Sequence, residues 1–145
     1  MMVGRSQSPV IPRNKYVLIA EPNLVLGNLI QFNLSRAGFT SILVHRGDEA
    51  FCRLGTNPFD FLITTLDLPG IPGIELCTRI RTDLKQMAIQ LVLMVAKGET
   101  FDQDQLKSEL NIAEIIPKPF CIHDLTFLLE ERSSSMYSPS RAYQQ

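Results

Sequence analysis

Net charge is almost absent from this chain, in which 14 basic and 15 acidic residues leave −1 at pH 7. That balance removes any general electrostatic pull toward nucleic acid or an anionic membrane, leaving only local patches open. Cysteine is scarce too: Cys52, Cys77 and Cys121 are widely spaced and odd in number. They argue against a disulfide scaffold or a paired-cysteine metal site and read as reduced thiols with packing or surface roles. There is no run of about 18 apolar residues, and the opening MMVGRSQSPVIPR lacks the apolar centre of a secretory signal. The expectation is a cytoplasmic protein. Neither a G-x-G-x-x-G nor a Walker sequence occurs, and no nucleophile, histidine and acid form a set. His45 and His123 read as packing or surface residues, and no enzyme activity is expected.

What the chain does have is an alternation of apolar runs and turn residues. At 145 residues it fits one domain that buries roughly two thirds of its unfolded surface. Charged residues make up 20%, lean enough to permit an apolar contact surface. Residues 1–14 hold glycine, serine and prolines without periodicity and read as a flexible leader. Tyr16 to Ala20 is a strand, and Glu21-Pro22-Asn23 turns into a helix. Leu26, Leu29, Ile30 and Leu34 fall three or four apart, so that helix runs until Gly38 supplies a left-handed cap. Thr40 to Val44 is a second strand. Gly47-Asp48-Glu49 caps a short helix carrying Ala50, Phe51 and Leu54, stopped by Gly55 and Asn57-Pro58.

The stretch FDFLITT is the third strand, and Leu68 to Gly73, reading LPGIPG, is a stiff loop before a helix marked by Ile74, Cys77 and Ile80. Leu91 to Val95 is continuously apolar, as suits the centre of a parallel sheet covered on both faces. Lys97-Gly98-Glu99 turns the chain. Thr100 and Gln103 have capping-box spacing ahead of a helix with Leu106 and Leu110 inward. Glu114-Ile115-Ile116 is a fifth strand, and Ile122, Leu125, Leu128 and Leu129 mark the last helix. The order predicts one α/β domain over residues 15–132, an open and mostly parallel sheet with helices on both faces. Residues 133–145, SSSMYSPSRAYQQ, are polar and aperiodic and read as a disordered tail.

In such a sheet the loops at the carboxyl ends of the strands form the binding crevice. A phosphoryl-accepting site there needs an Asp at a strand end and further carboxylates for a hard divalent cation, with a lysine and a hydroxyl for the transferring oxygens. The ordered pieces VLIAEPN, FDFLITTLDLPGIPG, LVLMVAKG and IIPKPF resemble the receiver domain of bacterial two-component response regulators over about residues 15–131. The resemblance implies a flavodoxin-like receiver fold with five parallel strands in the order 2-1-3-4-5. It also implies Mg2+-assisted phosphoryl transfer from a histidine kinase to an Asp ending the third strand. Lys118 matches the lysine that contacts acceptor and phosphate, followed by a commonly cis bond to proline.

Against that pattern the chain departs at four places. Glu21 matches the first acid after the first strand, but Pro22 replaces the second and brings neither a carboxylate nor an N–H. Thr65 stands at the acceptor position. Val95 stands where Ser or Thr contacts the phosphoryl group, and Ile115 where an aromatic residue switches. Asp67 matches the family position whose backbone carbonyl holds Mg2+; it reads as a loop carboxylate that caps a turn, contacts water or assists a weak cation site, and a substitute acceptor would need a local two-residue rearrangement at the strand end. For Glu21 an exposed turn carboxylate, a partner for Lys118 and a metal ligand stay open, and Lys118 has Glu21 or Asp67 within its expected reach.

The expectation is a degenerate receiver without the phosphoacceptor Asp, a signalling module that works by protein binding independently of phosphorylation, with no cofactor and no bound metal. A modulator of a phosphorelay through kinase or receiver binding, and a small-ligand-regulated domain, are the alternatives. Its partner is expected to be a protein of a signalling or transcription assembly, with a homodimer compatible and neither direct nucleic-acid nor membrane binding foreseen. By resemblance the contact surface comprises the fourth helix, fifth strand and last helix, with Phe101, Lys107, Glu109 and Phe127 as candidates.

Overall fold

The structure, a computed structural model, describes residues 15–137. The expected leader over residues 1–14 and the last part of the expected tail, residues 138–145, lie outside the described residues. Ten elements alternate along the chain: β1 (Tyr16–Ala20), α1 (Leu24–Arg36), β2 (Thr40–Val44), α2 (Gly47–Thr56), β3 (Phe61–Thr65), α3 (Gly73–Thr82), β4 (Gln90–Val95), α4 (Gln103–Leu110), β5 (Ile112–Pro117) and α5 (Ile122–Tyr137). The strands form one parallel sheet in the order β2-β1-β3-β4-β5.

Side chains on successive strand residues point to opposite faces, so the sheet builds two cores. On one face Val17, Ile19, Phe61, Ile63, Val92 and Met94 meet Ile30 and Leu34 of α1 and Leu125 and Leu129 of α5. On the other Leu18, Leu62, Leu91 and Leu93 meet Ala50 and Leu54 of α2 and Leu76, Cys77 and Ile80 of α3. β3 lies inside the sheet under both layers, which is why all five of its residues, the two threonines included, are buried. α4 has no fully buried residue and lays only Leu106 and Leu110 on the core.

Several boundaries differ from the sequence expectation. The cap of α4 is Asp102, whose carboxylate accepts the Gln105 N–H, and not Thr100. The helix starts two residues later than the capping-box reading requires, and a shorter carboxylate already closes its first turn. α2 has no side-chain cap, because Arg46 occupies the cap position and Gly47 is already helical. β5 is longer than Glu114–Ile116, beginning at Ile112 behind a bulge opposite Leu91 and Val92. α5 continues through Tyr137, five residues past the expected end of the folded part at Arg132. Where α1 ends, Gly38 has φ +92°, the left-handed turn expected of it.

Candidate functional site

β1, β3 and β5 each deliver one polar residue to the carboxyl end of the sheet. Glu21 follows β1 directly, its N–H donating to the Val44 carbonyl at 3.0 Å. Thr65 closes β3. Lys118 follows β5, its N–H donating to the Val95 carbonyl at 2.7 Å, and it joins Pro119 through a cis bond, as the resemblance implied.

The lysine reaches back over β4 to the other two residues. Its Nζ donates to Glu21 Oε1 at 2.9 Å and to Thr65 Oγ1 at 3.3 Å. The other Glu21 oxygen, Oε2, accepts the Asn23 N–H at 2.9 Å, a bond that turns the chain past Pro22. His45 Nδ1 donates to the Glu21 carbonyl at 3.1 Å. Glu21 is only 1% exposed, so the reading of it as an exposed turn carboxylate is overturned and the Lys118 partnership is what the fold builds. The reason lies in topology: β1 sits between β2 and β3, with the chain closing over its end on both sides.

Asp67 stands exposed in the loop after β3; among the described residues it is not an ion-pair partner of Lys118, which takes Glu21 instead. Pro22 is exposed beside α1. Val95 is buried with Leu91 and Leu93 on the α2–α3 side, whereas Thr65 follows the register of Phe61 and Ile63 on the α1–α5 side. The pleat therefore turns Val95 away from Thr65, a correction to its placement in the pocket, and the next residue, Ala96, borders the cleft. Neither carries a hydroxyl. Ile115 is half-buried against the same core as Val95.

The loop between β3 and α3 is tightly held. Leu66 N–H donates to the Met94 carbonyl, Gly73 N–H to the Leu66 carbonyl at 2.9 Å, and Gly47 N–H to the Pro69 carbonyl at 2.7 Å. A Cβ on Gly73 would run into the Thr65 carbonyl, and one on Gly47 into the Ile71 carbonyl. These two glycines let the loop lie directly on the end of β3 and on α2.

Of the four expected surface residues, Lys107 and Glu109 are exposed, and Glu109 accepts from Gln105. Phe127 is exposed as well. Phe101 packs against the α2–α3 core instead, because the chain before the late start of α4 folds inward. Beside Phe127 a cavity of about 600 Å³ runs between β5 and α5, floored by Ile116, Phe120 and Leu128 and rimmed by Glu114, Asp124 and Glu131.

Sequence reasoning missed Arg81. It is 8% exposed, and its guanidinium donates to the carbonyls of Leu110, Gln86, Ile89 and Asn111 at 2.8–3.0 Å. It thereby joins α3 to the segment before β4 and to the α4–β5 turn. Burial pulls its pKa below the ordinary arginine value, and burial pushes the nearby Cys77 thiol up to about 12. Nothing in the spacing of Arg81 separates it from an exposed helix arginine.

Comparison with known proteins agrees with the fold. The family model described as the response regulator receiver domain matches residues 17–130. The chain is 29% identical over 129 residues to the alkaline phosphatase synthesis transcriptional regulatory protein PhoP of Bacillus subtilis, covering 88% of this chain and 52% of that protein. It is 32% identical over 110 residues to the phosphate regulon transcriptional regulatory protein PhoB of Rhizobium meliloti, covering 75% and 48%. The chain thus spans about half the length of these curated relatives. Among solved structures, a Francisella response regulator 1452 receiver domain superposes with a TM-score of 0.76 at 20% identity, over 85% of this chain and 99% of that one. The chemotaxis response regulator CheY4 of Vibrio cholerae superposes with a TM-score of 0.71 at 16% identity, over 83% and 99%. No helix among the described residues is long and apolar enough to cross a membrane.

Proposed function

Because the chain belongs to the response regulator receiver domain family, we propose that it is a receiver which signals by binding another protein, without phosphorylating an aspartate of its own. One observation carries this reading: the charge of Lys118 is already met by the buried Glu21 carboxylate, and the residue between them at the end of β3 is a neutral threonine. A threonine hydroxyl without an adjacent base is a poor acceptor of a phosphoryl group at neutral pH. The residues also do not fit the Mg2+ that the family employs. Glu21 gives one oxygen to Lys118 and the other to the Asn23 N–H, Pro22 offers no carboxylate, and a hard cation needs several oxygen ligands.

On this reading the chain is no enzyme, and its partner is a protein of a signalling or transcription assembly. The names of PhoP and PhoB, which describe transcriptional regulatory proteins, support that direction by likeness. A small-ligand-regulated receiver is the second reading. It draws on a cavity of about 400 Å³ lined by Leu26, Ala96, Lys97, Lys118, Pro119 and Phe120, with an ammonium at its edge beyond the one that Glu21 neutralises.

The test is an amide NMR titration with Mg2+ and beryllofluoride, with an aspartate-bearing receiver as the positive control. The expected spectrum is unchanged, whereas saturable shifts centred on Glu21, Asp67 and Lys118 would overturn the proposal. A parallel titration with small carboxylates and phosphate monoesters reports on the second reading through Leu26, Lys97 and Phe120.

A further inference from the structure

Among the described residues, seven large apolar side chains stand exposed, and four of them lie on one helix: Leu24, Val25, Leu29 and Phe32 of α1. The opposite side of α1 is apolar too, since Gly27, Ile30 and Leu34 are buried. A helix hydrophobic on both sides normally has both sides covered. The thirteen residues LVLGNLIQFNLSR carry a single charge, Arg36, whose guanidinium lies 5.7 Å from the Phe32 ring. Val25, 79% exposed, heads a stripe continued by Leu29 and Phe32, positions that share one helix face.

We propose that this face is where two copies of the chain pair, α1 against α1 in antiparallel crossing about a twofold axis. The stripe is self-complementary. Val25 and Phe32 are equally far from the midpoint between Asn28 and Leu29, so the crossing sets the small side chain of one copy against the large one of the other. Asn28 and Leu29 meet at the axis, as an isologous contact requires. Charge does not oppose the pairing: at a rise of about 1.5 Å per residue the two Arg36 positions lie roughly 22 Å apart, beyond the Debye length in physiological salt. An acidic or basic partner finds little to recognise on this face, whereas an uncharged apolar helix fits it, and the chain supplies one.

The extent of the contact sets its strength. α1 is about 20 Å long, so helix pairing alone falls short of the ~800 Å² per partner of a stable interface. The dimer is therefore weak and transient, at the low end of interface size classes. This inference does not rest on the phosphate reading, and the beryllofluoride titration leaves it untouched.

Sedimentation velocity on the full chain from about 5 to about 500 μM, a range that covers weak association, is expected to show monomer passing into dimer. Leu29→Arg and Val25→Lys are expected to abolish the shift while melting like the parent, as exposed positions allow, and Phe127→Lys on α5 to leave it unchanged. In a Cys52→Ser, Cys121→Ser background, Asn28→Cys is expected to give a disulfide-linked dimer on mild oxidation. Ser35→Cys, which the crossing holds roughly 20 Å from its mate, is expected to give none. A chain monomeric at the highest concentration overturns the proposal, whether its own terminal segments or another protein then cover α1. A dimer indifferent to Leu29→Arg, or a Ser35→Cys chain that cross-links as well as Asn28→Cys, overturns it equally.

Discussion

Replacing Lys118 by methionine is expected to cost more than replacing the glutamate it pairs with. The two side chains differ in access to water: Glu21 is 1% exposed and Lys118 25%. Lys118→Met leaves a carboxylate in the protein interior with the Asn23 N–H as its remaining side-chain bond, and removal of one partner from a buried pair costs about 3 kcal/mol at the low end of the range. Glu21→Gln has one acceptor oxygen where the carboxylate has two, so either the Asn23 N–H or the ammonium loses its partner; because the ammonium can turn to water, the cost is about 1.5 kcal/mol. The double variant removes charge and countercharge together, and its cost is expected to fall about 1.5 kcal/mol short of the sum. Urea unfolding at neutral pH measures all four proteins. In a chain of this length 1 kcal/mol moves Tm by roughly 2–4 °C, so the two single variants separate clearly by calorimetry. Equal losses in the single variants, or strict additivity in the double, would refute the argument by showing that solvent already screens both partners.

Four further outcomes follow from the same geometry. Arg81→Met strips a charged donor from four carbonyls and is expected to cost about 4 kcal/mol in urea unfolding, with Arg81→Lys recovering less than half, because one ammonium cannot reach all four. Gly73→Ala, whose methyl has only the Thr65 carbonyl to occupy, is expected to cost more than about 2 kcal/mol, while Gly55→Ala, with open space around it near the end of α2, gains about 0.5 kcal/mol. Burial pushes the Cys77 thiol up to about 12 in the fold, well above its ordinary value, so the unfolded chain loses its proton first. The stability tied to that neutral thiol is whole below about pH 9 and is lost as pH rises toward 12, by roughly 1 kcal/mol at about pH 10; Cys77→Ala is expected to lose that slope in alkaline melts. Pro22→Asp with Thr65→Asp is expected to acquire Mg2+-dependent beryllofluoride shifts that neither single variant shows, since a cation site needs both carboxylates.

The fold was legible because each element carries its own period. Val17 to Ala20, Phe61 to Ile63 and Leu91 to Val95 are apolar throughout, as suits interior parallel strands, and Gly38 marks a helix end by its freedom to take positive φ. What escaped depends on contacts distant in sequence. Glu21 and Lys118 are separated by 97 residues, so a turn carboxylate and a buried ion-pair partner look the same until β1 and β5 take their places in one sheet. Val95 was placed one pleat step wrongly, because an apolar run has no internal landmark for which residues face which side. Phe101 looked free because the start of α4 was read two residues early. The exposure of Leu29 was invisible for the opposite reason: α1 is apolar on both faces, and periodicity alone does not say which of its apolar residues the fold covers.

The cleft and the α1 face are mechanically joined through three residues. Lys118 fixes Glu21, Glu21 Oε2 holds the Asn23 N–H, and Asn23 Oδ1 in turn caps α1 by accepting the Leu26 N–H at 2.9 Å. The first turn of the helix bearing Leu24 and Val25 is thus built on the carboxylate that satisfies the lysine. An N-cap is worth about 1 kcal/mol, and the helix behind it is anchored independently by Ile30 and Leu34, so loosening the pair frays one turn without releasing the helix. That turn supplies Val25, the side chain set opposite Phe32 in the proposed pair. On this reading a ligand at the cleft that competes for Lys118 draws on the same bond that shapes one end of the contact face. Regulation without phosphotransfer, as proposed, would then have a physical route: a ligand in the cleft would change the order of a helix end and, with it, the affinity of one copy for another in the proposed pair.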